Sequence, residues 1–378
     1  MKVAINCWVL RNKQLDGIGY FTVNTIARII REHPEVHFQI LCDKNFTEDY
    51  FDFDNVSRHP VFPPFRHPVL YFLYMELVLP LFLRKNKPDV FLSADGFLSL
   101  LSRSRQISII YDINFEHNPR DLKLQNRLYF RIFFRRFARK AKRIATISEY
   151  SKQDIASFYK IAPDKIDNVS CGISSNFYPL PATEISATRE KWSGGKPYFF
   201  FVGSMHPRKN IKRLIEAFTI FKDKTGSDIK LLLAGSILWK TSDIKDAYSL
   251  SAYKDDIIFT GRLSDGDLRM VLGASFALSF VPVFEGFGLP IVEAMQSGVP
   301  VICSNVTSMP EVAGDASILV DPFDLDSISS AMEKIATDDD LRTRLIGLGN
   351  KQKEKFSWGN TASLLWQTIC KVTPGGCN

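Results

Sequence analysis

Short apolar runs alternate with amphipathic helical stretches through both halves of the chain, and that alternation leaves few folds open. Residues 2–9, 36–42, 89–93, 106–112, 143–148 and 166–170 read as buried strands in the first half. Residues 198–203, 230–235, 257–263, 276–281, 299–304 and 318–322 read the same way in the second. Strands separated by helices form parallel sheets covered on both faces, so the expectation is an α/β protein of two Rossmann-like, doubly wound parallel-sheet domains facing a cleft. At 378 residues the chain is too long for one compact core. The natural boundaries are a first domain over 1–178, a linker over 179–197 marked by Pro179, Pro181, Gly194, Gly195 and Pro197, and a second domain over 198–355. A last helical segment follows over 356–378. Residues 44–64, rich in Asp, Phe and Pro, read as irregular.

Composition is that of a globular protein, with 45% hydrophobic and 24% charged residues. The most apolar stretch, residues 69–83, is interrupted by Glu76 and Pro80 and is too short to span a bilayer. The six cysteines form no Cys-x-x-Cys pair and have no histidine spacing for zinc, which fits a reducing cytoplasm. Charge is uneven: residues 1–189 hold 27 Lys and Arg against 19 Asp and Glu, and the remainder 21 against 22. No internal repeat or low-complexity tract is present.

One stretch concentrates chemistry. After the apolar run 276–281 come Phe284-Glu285-Gly286-Phe287-Gly288-Leu289-Pro290, then Glu293 and Gly298. Gly286 and Gly288 permit a positive-φ turn with uncovered backbone N–H groups. Pro290 suits a helix start and Gly298 a helix end. A short helix over about 290–297 would aim its positive N-terminus at an anion such as a diphosphate. Glu285 and Glu293, repelled by phosphate, would take neutral sugar and ribose hydroxyls. A cap for one and a core-edge charge for the other would explain either glutamate alone; two of them, eight apart around this turn, weigh against that.

This stretch resembles the Glu-x7-Glu signature of the retaining GT-B glycosyltransferases, in particular the large family 4 type that builds bacterial surface polysaccharides and glycolipids. The resemblance covers nearly the whole chain and is strongest over 199–322. It implies that Glu293 binds the donor ribose, and that Glu285 with the backbone of Gly286, Phe287, Gly288 and Leu289 holds the donor sugar. It further implies that the backbone near Arg262 and Leu263 holds the base, that residues 308–311 lie beside the phosphates, and that the last helix crosses back to the first domain. In the strand–loop–helix at 198–211, Gly203 allows close backbone approach, and Arg208 and Lys209 sit where a diphosphate would be gripped. Lys209 matches the family's diphosphate lysine. The family's partner arginine lies a few residues earlier, where Ser204 and Met205 stand, so Arg208 is the substitute.

Gly17 and Gly19, between the first strand and a helix, occupy the family's donor-side loop, although a tight turn explains them equally. Tyr111 stands where the family usually has histidine, and it can hydrogen-bond but supplies no cation near neutral pH. Tyr111, Asp112 and Asn114 follow a strand's carboxyl end, where ligands bind such sheets, and are the candidates for the acceptor. A local cap explains Asp112 as well. Cys171 replaces a common asparagine.

In residues 121–143, Arg127, Arg131, Arg135, Arg139 and Lys142 recur at helical spacing among aromatics. A solvated basic face accounts for them, and so does a helix resting, with residues 65–87, on an anionic membrane. No nucleic-acid-binding motif accompanies them. The resemblance therefore implies a metal-independent, retaining hexosyltransferase with Asp112, Lys209 and Glu285 as catalytic residues and no cofactor. No Asp-x-Asp motif is found, and no metal site is assigned. The donor is a GDP- or UDP-linked sugar, GDP-mannose first, and the acceptor a glycan or a polyprenyl-diphosphate-linked glycan. The protein would be cytoplasmic, peripheral on the inner membrane face. A sugar-nucleotide epimerase or hydrolase on the same fold, and a catalytically silent nucleotide-sugar sensor or membrane scaffold, are the alternatives.

Overall fold

The computed structural model describes residues 1–11, 15–43, 50–61, 68–122, 124–236, 242–373 and 375–377. Two compact units emerge, Met1–Gly172 with Ser357–Asn378, and Ile173–Phe356. Each is built on one fully parallel sheet flanked by helices.

The first unit holds β1 (Lys2–Asn6), β2 (His37–Asp43), β3 (Val56–Val61), β4 (Val90–Ser93), β5 (Gln106–Ile109), β6 (Arg143–Thr146) and β7 (Ile166–Asn168). Their order across the sheet is β3-β2-β1-β4-β5-β6-β7. Ile5 pairs with Ile40 on one side and Leu92 on the other, and all three are wholly buried in the middle of the sheet. Strand β3 corrects the reading of 44–64 as irregular throughout. Its sequence, Val-Ser-Arg-His-Pro-Val, carries no buried run because it is an edge strand, where a mid-strand proline such as Pro60 is tolerated. Residues 44–49 and 62–67 lie outside the described residues.

The final helix, Trp358–Cys370, belongs to this first unit and packs along the helix Gly17–Glu32. Trp366 stacks on His33 at 3.8 Å, and Trp358 meets Phe21 edge-on. Gly172 is needed there, because a Cβ would sit 2.3 Å from the Trp358 nitrogen. Cys370 and Cys377 are joined in a disulfide, a pairing the cysteine spacing did not announce; the other four cysteines are buried thiols.

The second unit holds β8 (Tyr198–Val202), β9 (Lys230–Ala234), β10 (Ile257–Gly261), β11 (Ala277–Phe280), β12 (Val301–Ser304) and β13 (Ser317–Val320), ordered β10-β9-β8-β11-β12-β13. Tyr198 and Phe199 to Phe201 are wholly buried, and the Tyr198 hydroxyl is satisfied by the Val271 carbonyl at 2.7 Å. The stretch 179–197 is not a bare linker. It contains a helix, Ala182–Ser193, ended by Gly194 at φ 63°, and Arg189 Nε donates to the Ala274 carbonyl at 2.9 Å within the second unit.

In both sheets the strand order reverses once, between β1 and β4 and between β8 and β11. At such a reversal the covering helices diverge, and a crevice opens beyond the carboxyl ends of the two strands.

Candidate functional site

In the second unit the crevice is formed by the chain leaving β8 and the chain leaving β11. Strand β8 is followed by Gly203, with φ 155°, and β9 by Gly235, with φ 147°. A Cβ on Gly235 would lie 1.7 Å from the Gly203 carbonyl oxygen, so the two strand exits touch backbone to backbone. The β8 exit then makes a single turn, Pro207–Lys209, closed by Asn210 in the left-handed region at φ 62°. Asn210 is buried. Its Nδ2 donates to the Val281 carbonyl at 3.0 Å and to the Pro322 carbonyl at 2.7 Å. Val283 N–H donates to the Arg208 carbonyl at 2.8 Å. These bonds fasten the β8 exit to the β11 exit.

That fastening brings Arg208 and Lys209 onto Glu285. Lys209 and Glu285 are each only 8% exposed, and Lys209 Nζ lies 2.6 Å from Glu285 Oε1. Arg208 Nη1 reaches the same oxygen and also donates to the Phe284 carbonyl at 3.0 Å. The Lys209 ammonium sits 4.9 Å from the centre of the Phe280 ring. Burial by itself would raise the Glu285 pKa, but Lys209 and Arg208 outweigh it and hold the carboxyl below its ordinary value. The backbone is held as well: Glu285 N–H donates to Thr307 Oγ1 at 3.3 Å, and Ser308 Oγ donates to the Glu285 and Phe287 carbonyls at 2.9 and 3.0 Å.

Beyond this cluster the helix Leu289–Gln296 begins. Gly288 precedes it at φ 102°, whereas Gly286 stays outside the left-handed region. Pro290 lies in its first turn. The helix ends with Gly298 N–H on the Met295 carbonyl and Val299 N–H on the Ala294 carbonyl, a Schellman closure with Gly298 at φ 69°. Glu293 is half-buried on this helix; its carbonyl accepts from Ser297 N–H and Oγ, while its carboxyl group makes no hydrogen bond or ion pair among the described residues. Burial, with a smaller contribution from Asp265, pushes its pKa up to about 7. Arg262 and Leu263 follow β10, and Ser264 caps the helix Asp265–Gly273. All strands being parallel, Gly203, Arg208, Lys209, Arg262, Leu263 and 285–289 share the carboxyl edge of one sheet.

In the first unit, Gly17 and Gly19 form the first turn of the helix Gly17–Glu32, and the Gly19 N–H is taken by the Asp16 side chain at 2.9 Å. Tyr111 donates its hydroxyl to the Ala94 carbonyl at 3.0 Å and packs edge-on against Phe21. Burial lifts its pKa well above the ordinary value. Asp112 Oδ1 accepts the Asn114 N–H at 2.9 Å, and Asn114 Oδ1 accepts from Asn118 Nδ2 at 2.8 Å. Tyr111, Asp112 and Asn114 thus stand together just past β5. At the reversal itself stands Asp95, which no sequence pattern singled out beyond its place after a strand. It accepts from Tyr71 Oη and Ser93 Oγ, each at 2.7 Å, and from Asn6 Nδ2 at 3.0 Å, and Tyr71 stacks on Trp8 at 4.5 Å. Burial raises the Asp95 pKa against the pull of those hydrogen bonds.

Comparison with known proteins bears on the family and the fold. Residues 15–177 match the family model described as Glycosyltransferase Family 4, and residues 183–352 the model described as Glycosyl transferases group 1. The chain is 28% identical over 373 residues to O-antigen chain mannosyltransferase B of Escherichia coli, a match covering 94% of this chain and 95% of that one. It is 32% identical over 231 residues to the serotype-specific mannosyltransferase WbdA of Escherichia coli, covering 60% of this chain and 28% of that longer protein. Among solved structures, Anabaena Alr3699/HepE in complex with UDP-glucose superposes with a TM-score of 0.77 at 14% identity, over 98% of this chain and all of that one. WaaG, a glycosyltransferase involved in lipopolysaccharide biosynthesis, superposes at 0.74 and 16% identity, over 99% of this chain and 100% of that chain. At such identities these two bear on the fold alone.

Proposed function

Since the chain belongs to the GT-B glycosyltransferases of the family 4 type, we propose that it transfers a hexose, mannose from GDP-mannose first, to a lipid-linked or oligosaccharide acceptor in surface-glycan biosynthesis. Configuration at the anomeric carbon is retained and no metal takes part. The mannosyltransferase relatives support the sugar. The observation that carries the reading is the cluster of Lys209, Arg208 and Glu285 at the reversal between β8 and β11, beside a helix N-terminus.

In this reading the donor diphosphate lies over Gly288 and the first turn of the helix Leu289–Gln296. Lys209 and Arg208 shift part of their charge from Glu285 to the phosphate oxygens, and backbone N–H groups supply the rest. Preorganised cations and dipoles of this kind stabilise a leaving diphosphate. Glu285, relieved of one partner, accepts hydroxyls of the donor sugar, and Glu293 accepts the two ribose hydroxyls. The acceptor oxygen bonds to the anomeric carbon on the face from which the phosphate oxygen departs. The acceptor proton passes to that departing oxygen. Asp112 orients the acceptor hydroxyl; a carboxylate has acceptor capacity beyond the one Asn114 N–H it already takes.

The test begins with thermal shifts against GDP, UDP, GDP-mannose and UDP-glucose, because a ligand that binds only the native state raises its melting temperature. Transfer from the stabilising donor to a polyprenyl-diphosphate-linked glycan is then followed in EDTA, with the anomeric configuration of the product read by NMR. An inverted product, or activity restored only by Mn²⁺, refutes that part of the reading. Free sugar released at a rate indifferent to acceptor points to the hydrolase instead.

A further inference from the structure

We infer that the first unit carries a membrane-insertion surface made of leucines, with the arginines as its rim. It rests on the lipid-linked branch of the acceptor proposed above. From Pro68 to Asn86 the chain runs as three helical segments in succession, Pro68–Leu73, Tyr74–Val78 and Leu79–Asn86. Tyr71, Tyr74, Met75, Leu79 and Leu83 face the core and are buried. Leu73, Leu77 and Leu81 recur every four residues on the other side and are exposed. The helix Leu124–Lys140 repeats the pattern: Phe134, Phe137 and Ala138 are buried, while Leu124, Leu128 and Ile132 are exposed. The two elements are neighbours, since Phe72 packs on Phe133 with ring centres 4.8 Å apart and meets Tyr129 edge-on.

A third apolar point is fastened alongside. Glu76 is a buried carboxylate, and its oxygens accept the N–H groups of Leu100 and Leu101, each at 2.8 Å. That holds the 99–102 loop against the first element with Leu101 outward. These seven aliphatic side chains are 39–77% exposed, and most of the large exposed hydrophobic residues among the described residues of the whole chain fall in this one region. Water-exposed aliphatic side chains gathered on two adjoining helices mark an interaction surface.

Charge selects the occupant. The helix Leu124–Lys140 contains six Arg and Lys and no acidic residue. Arg131, Arg135 and Arg139 are exposed beside the leucine row, and Arg84, Lys85 and Lys87 close the first element. The one acidic residue between 68 and 87 is Glu76, which is buried and used internally. A leucine face rimmed by cations, without compensating acids, fits an anionic bilayer, into whose headgroup and upper acyl layer such helices sink. A second copy of this chain would oppose cation to cation. No helix among the described residues is long and apolar enough to cross a membrane, so the contact is interfacial.

Flotation with mixed phosphatidylcholine–phosphatidylglycerol vesicles, compared with pure phosphatidylcholine vesicles, tests this. Leu77→Ser with Leu128→Ser should lower the vesicle partition coefficient at least about tenfold, the effect of exchanging two inserted leucines for polar groups. Arg131→Gln with Arg135→Gln should lower binding to the mixed vesicles by about fivefold per charge and leave binding to pure phosphatidylcholine unchanged. All four positions are exposed, so melting temperatures should stay at the parent value. Leucine variants that float like the parent overturn the insertion. A parent that is dimeric by sedimentation, with leucine variants that are monomeric, assigns the face to a second copy and overturns it equally. Transfer to a detergent-free soluble oligosaccharide, assayed in parallel, separates failure of this surface from failure of the transferase reading.

Discussion

Glu293→Gln should have opposite effects on stability and on donor binding, and both follow from one carboxyl group. Burial, then Asp265, pushes the Glu293 pKa from an ordinary 4.5 up to about 7. A folded-state pKa above the unfolded value means that the native state holds the proton more tightly. Stability therefore falls as pH rises from about 4.5 to about 7 and is level above that window. Each unit corresponds to about 1.4 kcal/mol, so the full penalty is on the order of 3 kcal/mol, and partial exposure of the half-buried side chain reduces it to roughly 1–3. The neutral glutamine never meets it, so the variant should melt higher than the parent at about pH 8 and match it at about pH 4.5. Donor binding runs the other way. Ribose hydroxyls donate, and they favour the carboxylate over the acid. Binding should then release a proton below about pH 7 and weaken close to tenfold per unit of further acidification. Calorimetric titration with a nucleotide sugar, which lacks the terminal phosphate that titrates near pH 6, in two buffers of different ionisation enthalpy measures that proton directly. The glutamine variant should bind weakly at every pH and release none. A parent affinity that is flat with pH, or a variant that keeps the parent's pH profile, refutes the assignment of Glu293 to the ribose.

Lys209→Met removes one of the two cations on Glu285 but leaves Arg208 in place. The chain should fold with a loss on the order of 1–3 kcal/mol by denaturant titration, while kcat falls at least about a hundredfold. Asn210→Ala strips hydrogen bonds from the buried Val281 and Pro322 carbonyls and puts alanine at φ 62°. It should cost about 2–4 kcal/mol, read as a lowered urea midpoint, and weaken nucleotide binding because the two strand exits come loose. Tyr111→Phe loses the hydroxyl's bonds to the Ala94 carbonyl and to Thr22, so about 1–2 kcal/mol of stability should go while kcat stays near the parent value; a collapse of kcat would put the hydroxyl in the chemistry.

What the sequence made legible follows the physics of each segment. Central strands such as 199–201 announce themselves because burial on both faces demands an unbroken apolar run. Strand β3 does not, since an edge strand needs neither burial nor every N–H, and Pro60 with Ser57 and His59 then reads as loop. Pro181 and Gly194 mark a linker or the two ends of a helix with equal force, and here they bound Ala182–Ser193. Gly17 and Gly19 fit a phosphate loop by position, yet Asp16 takes the Gly19 N–H that such a loop would offer. In the second unit the residue types of the crevice could be read from the strand–loop–helix pattern, but their pairing could not. Lys209 and Glu285 are brought together by tertiary packing, and Asn210, which does much of the fastening, looks like any turn asparagine. The basic helix was visible as a charge period. The leucine row beside it was not, because an apolar residue is assigned to the core by default, and exposure is a property of the fold.

The two cations that converge on Glu285 also set what the crevice attracts. A lysine and an arginine left bare would gather any phosphate-bearing anion, sugar nucleotide or not. Tied to one acid, they present one net positive charge in place of two to a passing anion. A visitor with phosphates alone frees the acid but offers it nothing, and one with hydroxyls alone cannot loosen the bases. Only a molecule bearing both satisfies every group at once. Donors should therefore outcompete their own nucleotide products, and turnover should empty the crevice instead of clogging it.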